Sequence, residues 1–358
     1  MEDNKLKKII VDISSHGFGH LAQTAPVVNR LNASYEGLNI IIRSEYKPEI
    51  VQSFFDFPIH SASLPREPSL EMHGPTRVDK DRSLAVINEF HKNWRDNIAS
   101  RAKVLRDYRP DLVICNILYG SIEAANQLLT PVVAMCSYNW FETQQFLKFG
   151  SDLHLNRIKA AYNSASIFLQ PTPHMPMACL SNKKSIGPIA RRGINQQALI
   201  RHQFKIAPKQ KLILVTLGGV AGEREIALPD RNDFFWIIEN NIKTNNRNVI
   251  KAAELQLPFI DILASCDIVV TKEGYGTLVE TACNGVQLLM LTRSDWLETP
   301  YFVAWAERNA SCQMTPIDHR PLLLEENLDL LIKKAPAPAV DPTGVTEAIK
   351  EIAVLLGK

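Results

Sequence analysis

Short, continuous apolar runs alternate with helical segments along the first half of this sequence. A strand that is apolar at every position must be covered on both faces, as in a parallel sheet between two layers of helices. The pattern therefore predicts a doubly wound α/β domain. We expect strands at 8–14, 38–43, 111–115, 131–136 and 167–170, and helices near 21–31, 84–107 and 121–129.

The same alternation begins again after residue 192, with apolar strands expected at 211–217, 268–271 and 287–291. A length of 358 residues suits two domains of ordinary size. We therefore predict a first Rossmann-like domain at 1–184, a linker at 185–192 and a second Rossmann-like domain at 193–339. The segment 340–358 is predicted to carry a last helix, at 345–356, that packs back on the first domain.

Composition and charge exclude several classes of protein. The formal net charge of +2 argues against a general nucleic-acid binder, which would show a concentrated basic surface. The six cysteines are scattered without metal-ligand spacing, which predicts buried thiols, a reducing compartment and no metal site. Without a signal-like or membrane-spanning stretch, the chain is expected in the cytoplasm. Peripheral contact with a membrane is compatible with this composition, and nothing in the sequence indicates an oligomeric state.

Residues 64–82, LPREPSLEMHGPTRVDKDR, interrupt the alternation with proline and charge. A loop of that length inside a compact domain is usually functional or disordered. Two interpretations stay open, a mobile loop on the substrate side and plain surface disorder.

Two histidines flank a glycine-rich turn directly after the first strand, in the motif HGFGH. Ligands of open α/β sheets bind beyond the carboxyl ends of strands, where Gly17 and Gly19 would let a substrate approach the backbone. Imidazole accepts protons near neutral pH, so we predict His20, and secondly His16, as catalytic bases. The motif is not GxGxxG, which disfavours a dinucleotide site.

A second glycine motif, DIVVTKEGYGTLVE, spans residues 267–280. A strand ends at Thr271, Gly274 and Gly276 are expected to form the turn, and a helix is expected to start near Thr277. Such a helix N-terminus can hold a diphosphate, and Glu280 one turn later could accept both hydroxyls of a ribose. The alternative is an ordinary helix start with an exposed glutamate.

Two further loops follow apolar strands of the second half. Gly218 and Gly219 would leave room for a phosphate, although a plain turn is the alternative. Asp295 and Glu298 could receive sugar hydroxyls, or could be solvated loop charges.

The motif HGFGHLAQTAPVVNRL resembles the first glycine loop of glycosyltransferases related to the N-acetylglucosaminyltransferase of peptidoglycan synthesis. It is still more similar to the glycosyltransferase-like region of some arabinose kinases. The segment DILASCDIVVTKEGYGTLVETACNGVQLLML resembles the donor-binding segment of the same superfamily, and GPIARR and RPDLVICN also fit. This resemblance implies the glycosyltransferase B fold, with two Rossmann-like domains facing across a cleft.

The resemblance also implies roles for individual residues. His20 would be the base, Gly276 and Thr277 would hold the diphosphate, and Glu280 would hold the ribose. Glu298 would contact the donor sugar. The predicted donor-binding set is Gly218, Gly219, Lys272, Gly274, Tyr275, Gly276, Thr277, Glu280, Asp295 and Glu298, and the acceptor-side set is Gly17, Gly19 and Asn116.

Two positions depart from the family pattern. Lys272 stands where plant and animal relatives have histidine, and it can neutralise phosphate as a point charge. Asn116 stands near the position of an acid in many relatives, and an amide is not expected to orient and charge-stabilise a base as a carboxylate would.

From this resemblance we predict a metal-independent glycosyltransferase that moves a hexosyl or N-acetylhexosaminyl group from a nucleotide sugar, by default a UDP-sugar, to an acceptor hydroxyl. The nucleotide sugar is a co-substrate, and no cofactor is expected. The alternatives are a nucleotide-sugar hydrolase or epimerase, and a binding protein with a degenerate site.

Overall fold

The computed structural model describes residues 6–73, 77–218, 224–294, 296–317 and 321–357. Its contacts divide the chain into two compact units. The first unit contains the described residues up to Ile189 and those from Thr343 onward, and the second unit contains Ala190–Pro342.

The first unit is built on a sheet of seven parallel strands in the order β3-β2-β1-β6-β7-β8-β9. Its central strands are buried along most of their length, as continuous apolar runs require. Its seven strands are β1 Lys7–Ile13, β2 Leu38–Ser44, β3 His60–Ser63, β6 Leu112–Asn116, β7 Val132–Met135, β8 Ile167–Pro171 and β9 Lys183–Ile186. Two short strands, β4 Met72–His73 and β5 Arg77–Val78, pair antiparallel with each other in a separate sheet. The helices are α1 Gly19–Ser34, α2 Pro48–Gln52, α3 Lys80–Lys92, α4 Trp94–Tyr108, α5 Tyr119–Asn126, α6 Trp140–Leu147 and α7 Asp152–Ser164.

The second unit is built on six parallel strands in the order β14-β12-β10-β15-β16-β17. Its six strands are β10 Lys211–Thr216, β12 Phe234–Ile238, β14 Val249–Lys251, β15 Ile268–Lys272, β16 Gln287–Thr292 and β17 Cys312–Pro316. Two short strands, β11 Arg224–Glu225 and β13 Ile242–Lys243, pair with each other in a separate sheet. The helices are α8 Gln197–Gln203, α9 Phe259–Ala264, α10 Tyr275–Cys283, α11 Thr299–Asn309 and α12 Pro321–Ile332, with a 3-10 turn at Ala252–Leu255. Both units therefore have the α/β class predicted from the apolar runs.

The last helix, α13 Gly344–Leu356, belongs to the first unit. It buries Ala348, Ile352 and Leu356 in the same apolar cluster as Leu21 and Val28 of α1. A close backbone approach makes this packing possible, because the Gly344 N–H donates to the Pro188 carbonyl at 3.1 Å.

Several local predictions need correction. The single helix expected at 84–107 is two helices, α3 and α4, which meet at Asn93. The prediction that Gly276 forms a turn with Gly274 is wrong, because α10 begins at Tyr275 and Gly276 lies inside it. The stretch 64–82 is neither one continuous loop nor plain disorder in its described part, since it contains the antiparallel pair of β4 and β5 and the start of α3.

Among the described residues, no helix combines the length and apolar character needed to cross a bilayer.

Candidate active site

The turn between β1 and α1 leaves its own backbone accessible at two glycines. Gly17 has φ +88°, a left-handed conformation that favours glycine, and a Cβ at Gly17 or Gly19 would have no neighbour within 4 Å. His16 is half-buried, and its ring meets the edge of Trp140 at a centroid distance of 5.5 Å. A small molecule can therefore approach the backbone at this turn.

His20 lies in the first turn of α1 and is only 4% exposed. Its Nδ1 is 2.8 Å from Asn116 Oδ1, and because an amide oxygen only accepts, Nδ1 carries the proton. The Asn116 amide group in turn donates to Thr24 Oγ1 at 3.0 Å and to Gln23 Oε1 at 3.2 Å. The Nε2 atom of His20 faces the Tyr138 hydroxyl at 3.4 Å. The ring is thus held in one tautomer, with the lone pair on Nε2.

Burial lowers the pKa of His20 from 6.5 to about 4, and the hydrogen bond that Nδ1–H donates to Asn116 opposes that shift only in part. The ring is therefore neutral at physiological pH and able to accept a proton. The expectation that an amide at 116 would not orient the base is wrong, because the Asn116 side chain holds Nδ1 in place. What Asn116 lacks is the negative charge that would stabilise the protonated ring.

A pH-dependent loss of stability follows from the position of His20. Its folded pKa is depressed, so the unfolded chain takes up the proton first as pH falls from 6.5 towards 4, and the stability present above pH 6.5 is lost. Between pH 7 and pH 4.5, we expect the unfolding free energy of wild type to fall by roughly 2 kcal/mol more than that of His20→Gln. Urea denaturation at both pH values measures this difference, and equal losses in the two proteins would contradict it.

A polar cavity of about 210 Å³ opens beside the same turn. Ser14, Ser15 and His16 form one side, and Leu64–Met72 forms much of the other. No residue of Leu64–Met72, the segment called the cavity wall below, is among the predicted site residues. Proline and charge in a sequence do not show where a loop folds.

Glu67 and Arg101 anchor the cavity wall. The Glu67 side chain is 1% exposed, its Oε1 accepts the Gly120 N–H at 2.9 Å, and its Oε2 lies 3.7 Å from Arg101 Nε. Arg101 also donates to the carbonyls of Pro65 and Arg66, at 3.0 and 2.6 Å. Burial raises the pKa of Glu67 to about 7 although the Arg101 charge lowers it.

In the second unit, the end of β15 leads directly into α10. Gly274 occupies the N-cap and offers no side chain to cap the first turn, which contains the half-buried Gly276 and Thr277. Lys272 lies at the end of β15, and its Cε would be 3.4 Å from a Cβ at Gly218, which has φ +78°. The structure thus brings Gly218 and Lys272 together at the carboxyl ends of β10 and β15. Such a helix start offers N–H groups and a partial positive charge to an anion.

Glu280 is 3% exposed, so the alternative of an exposed glutamate is wrong. Its Oε1 accepts from Arg191 Nε at 2.7 Å. Burial raises the pKa of Glu280, and the Arg191 charge and hydrogen bond oppose that rise. Arg191 belongs to the GPIARR segment, which had been interpreted only as a linker.

Glu273 organises the loop that follows β16. Its Oε2 accepts the Arg293 N–H at 3.0 Å and the Thr299 hydroxyl at 2.7 Å, and its Oε1 accepts from Arg293 Nε at 2.6 Å. The Arg293 guanidinium lies 4.3 Å from the ring centroid of Trp296, whose Nε1 donates to Glu298 Oε2 at 3.2 Å. Glu298 is therefore a buried, hydrogen-bonded carboxylate instead of a solvated loop charge.

Some predicted residues remain outside this description. Gly219 and Asp295 lie outside the described residues. Tyr275 begins α10 and is buried in an apolar cluster, so its side chain packs in the core. In the described part of the chain, no group of three or more His, Cys, Asp or Glu side chains is arranged to hold a metal ion.

Comparison with known proteins places the fold. No protein-family model matches the chain. It is 21% identical over 308 residues to the L-arabinokinase of Arabidopsis thaliana, and the match covers 81% of this chain but only 28% of that protein.

Solved structures give broader coverage. The calicheamicin glycosyltransferase CalG4 has a TM-score of 0.62 at 14% identity, covering 98% of this chain and 99% of that one. Phytolacca americana UGT2, complexed with UDP-2fluoro-glucose and pterostilbene, has a TM-score of 0.59 at 13% identity, covering 98% and 94%. A UDP-N-acetylglucosamine 2-epimerase has a TM-score of 0.58 at 13% identity, covering 99% and 97%. The chain therefore has the glycosyltransferase B type of fold, which sugar transferases and this epimerase share.

Proposed function

We propose that this protein is a glycosyltransferase that moves a sugar from a nucleoside diphosphate sugar, by default a UDP-sugar, to an acceptor hydroxyl without a metal ion. The observation that carries the proposal is the start of α10, where the glycine N-cap, Thr277 and the neighbouring Lys272 suit a diphosphate. The fold supports it, because solved structures of this fold include a protein complexed with UDP-2fluoro-glucose and a UDP-N-acetylglucosamine 2-epimerase.

The chemistry is a displacement at the sugar. The acceptor oxygen bonds to the anomeric carbon as the bond from that carbon to the diphosphate breaks. His20 Nε2 takes the acceptor proton, with Asn116 holding Nδ1–H. The N–H groups of α10 and the Lys272 ammonium stabilise the charge that develops on the diphosphate, in place of a metal.

Two donor-side carboxylates have separate roles in this proposal. Glu280 keeps acceptor capacity beside its bond from Arg191, and ribose hydroxyls would donate to it. Glu298, fixed by Trp296, would receive a hydroxyl of the donor sugar.

An epimerase is the second candidate, because the fold is shared with a UDP-N-acetylglucosamine 2-epimerase. The two candidates differ in what they consume. An epimerase or a hydrolase converts the nucleotide sugar with no acceptor present, whereas a transferase releases nucleoside diphosphate in step with acceptor. Incubation of each UDP-sugar alone, followed by nuclear magnetic resonance of the anomeric proton, separates them.

A thermal-shift experiment tests the donor site. UDP or a UDP-sugar at about a hundred times its dissociation constant should stabilise wild type by ~2.7 kcal/mol, with EDTA present as well as with magnesium. We expect Glu280→Gln to lose most of this response, because a neutral amide is a weaker acceptor for ribose hydroxyls. Each response is taken relative to the same variant without nucleotide, since breaking the pair with Arg191 also lowers the starting stability.

The matched control is Glu326→Gln, an exposed glutamate on α12 of the same unit, which should respond like wild type. If no nucleotide stabilises wild type, the donor site is refuted, and the transferase and the epimerase with it. Nucleotide binding without turnover would instead favour a catalytically degenerate nucleotide-sugar-binding protein. A response that requires magnesium would refute the metal-independent mechanism.

A further inference from the structure

The cavity beside His16 carries a conclusion about the acceptor. It lies at the carboxyl end of β1, where ligands of parallel sheets bind. We infer that this cavity binds the acceptor, and that the acceptor is a small polyhydroxylated group without phosphate or carboxylate, such as a neutral or amino monosaccharide unit. The cavity lining includes His16 but not His20, so the hydroxyl that His20 deprotonates must lie outside the lined space while the rest of the acceptor group occupies it. The inference rests on the proposed function and adds the substrate class of its second site.

Size is the first argument. The cavity holds about 210 Å³, below the ~300–1,000 Å³ of sites that enclose drug-sized ligands. One sugar ring is the scale of group that such a space encloses. A fused aromatic acceptor would have to lie mainly outside it.

Polarity is the second argument. The lining side chains include the hydroxyls of Ser14, Ser15 and Ser69 and the carboxylates of Glu45 and Glu71. A serine hydroxyl both donates and accepts, whereas an ionised carboxylate only accepts. A ligand that matches this lining needs several donors, which sugar hydroxyls or an ammonium group provide.

Charge is the third argument. Among the described residues that line the cavity, Arg66 is the only lysine or arginine, and it is ion-paired with Glu71. The Glu45 carboxylate accepts from Ser15 Oγ at 3.2 Å. Glu71 also lies 3.8 Å from the Arg82 guanidinium, so its charge is balanced by two arginines. A phosphate or carboxylate on the ligand would still lie near Glu45, and like charges at a binding surface are unfavourable.

Order in the wall is the fourth argument. Arg101 fixes the Pro65 and Arg66 carbonyls, Gly120 fixes Glu67, and the Glu71 N–H donates to Ser83 Oγ at 2.8 Å. A wall already held by buried hydrogen bonds needs little ordering when a ligand binds. These contacts favour the substrate-side interpretation of the loop within its described residues.

The test measures sugar binding without any nucleotide. Saturation-transfer nuclear magnetic resonance on the full chain uses methyl β-D-glucopyranoside, D-glucosamine and glucose 6-phosphate as probes. We expect signals from the first two and little from the phosphate. Ser69→Trp, which fills the cavity, should remove the signals while the thermal response to UDP persists and shows that the protein is folded.

A charge reversal adds a second readout. Glu45→Lys should improve the binding of glucose 6-phosphate relative to the neutral sugar by about two- to fivefold, the size of one exposed charge interaction. Glu49→Lys is the matched control, because Glu49 is also exposed, lies on α2, and does not line the cavity.

Two results overturn the inference: preferred binding of glucose 6-phosphate by wild type, or sugar binding that Ser69→Trp leaves unchanged. If UDP stabilises the protein and none of the sugars binds, the inference fails and the proposed function stands. If the sugars bind and no nucleotide does, the proposed function fails, and with it the acceptor role of the cavity.

Discussion

Replacing His20 by alanine is expected to lower the turnover number of sugar transfer by about 10²–10⁴-fold, the usual contribution of a general base. The reason is geometric. Asn116 holds the proton on Nδ1, and the low pKa keeps Nε2 unprotonated at neutral pH, where it faces the Tyr138 hydroxyl. Nucleotide stabilisation should persist, because the proposed donor residues lie in the second unit.

His16→Ala is the matched comparison, since His16 flanks the same glycine turn and lines the cavity. The turnover number of His16→Ala should fall less than that of His20→Ala, and its main effect should be a higher Michaelis constant for the acceptor. This is the pattern expected for a residue that contacts the substrate without taking its proton. Steady-state release of UDP with saturating donor measures both variants. A larger loss of turnover in His16→Ala would assign the base to His16 instead.

Gly344→Ala is expected to lower the unfolding free energy of the first unit by about 3 kcal/mol or more. A Cβ at Gly344 would lie 2.0 Å from the Gly187 carbonyl oxygen and 2.8 Å from its carbon. These are backbone atoms, so relief requires α13 to move and to expose side chains such as Ile352 and Leu356, each worth about 1.5–3 kcal/mol when buried.

Val354→Ala, on the same helix but 74% exposed, should change stability by less than about 0.5 kcal/mol. Urea denaturation followed by circular dichroism measures the unfolding free energy of each variant against wild type. Equal stability of the two would show that α13 is not held by this backbone contact.

The strands that the sequence predicted best are the ones with a purely local signal. The best examples are mainly apolar runs whose observed bounds differ from the predicted ones by at most one residue at each end: β1, β2, β6, β10, β15 and β16. A strand covered by helices on both faces needs only that run. The motif HGFGH was likewise identified correctly as the turn that leads into α1.

Shorter and less regular elements were missed for an equally physical reason. β12 and β14 lie in a stretch whose described residues between β10 and β14 form no helix, so the strand–helix alternation that reveals a doubly wound domain is absent there. β17 lies between α11 and α12 and was missed although that alternation is present. The division of the helix at Asn93 also lacks a glycine or proline as a signal. The sheet order placed these strands, through pairing with β10, β12 and β16.

The sequence by itself determined the α/β class and the motifs at the ends of β1 and β15. The spacing of apolar residues and the presence of a glycine turn depend only on residues that are neighbours in the chain. Only the tertiary structure decided which side chains act on one another. His20 meets Asn116 across 96 positions, and Arg191 meets Glu280 across 89. Burial then sets the pKa of His20 and of Glu67, and burial depends on the packing of distant segments that no local pattern records.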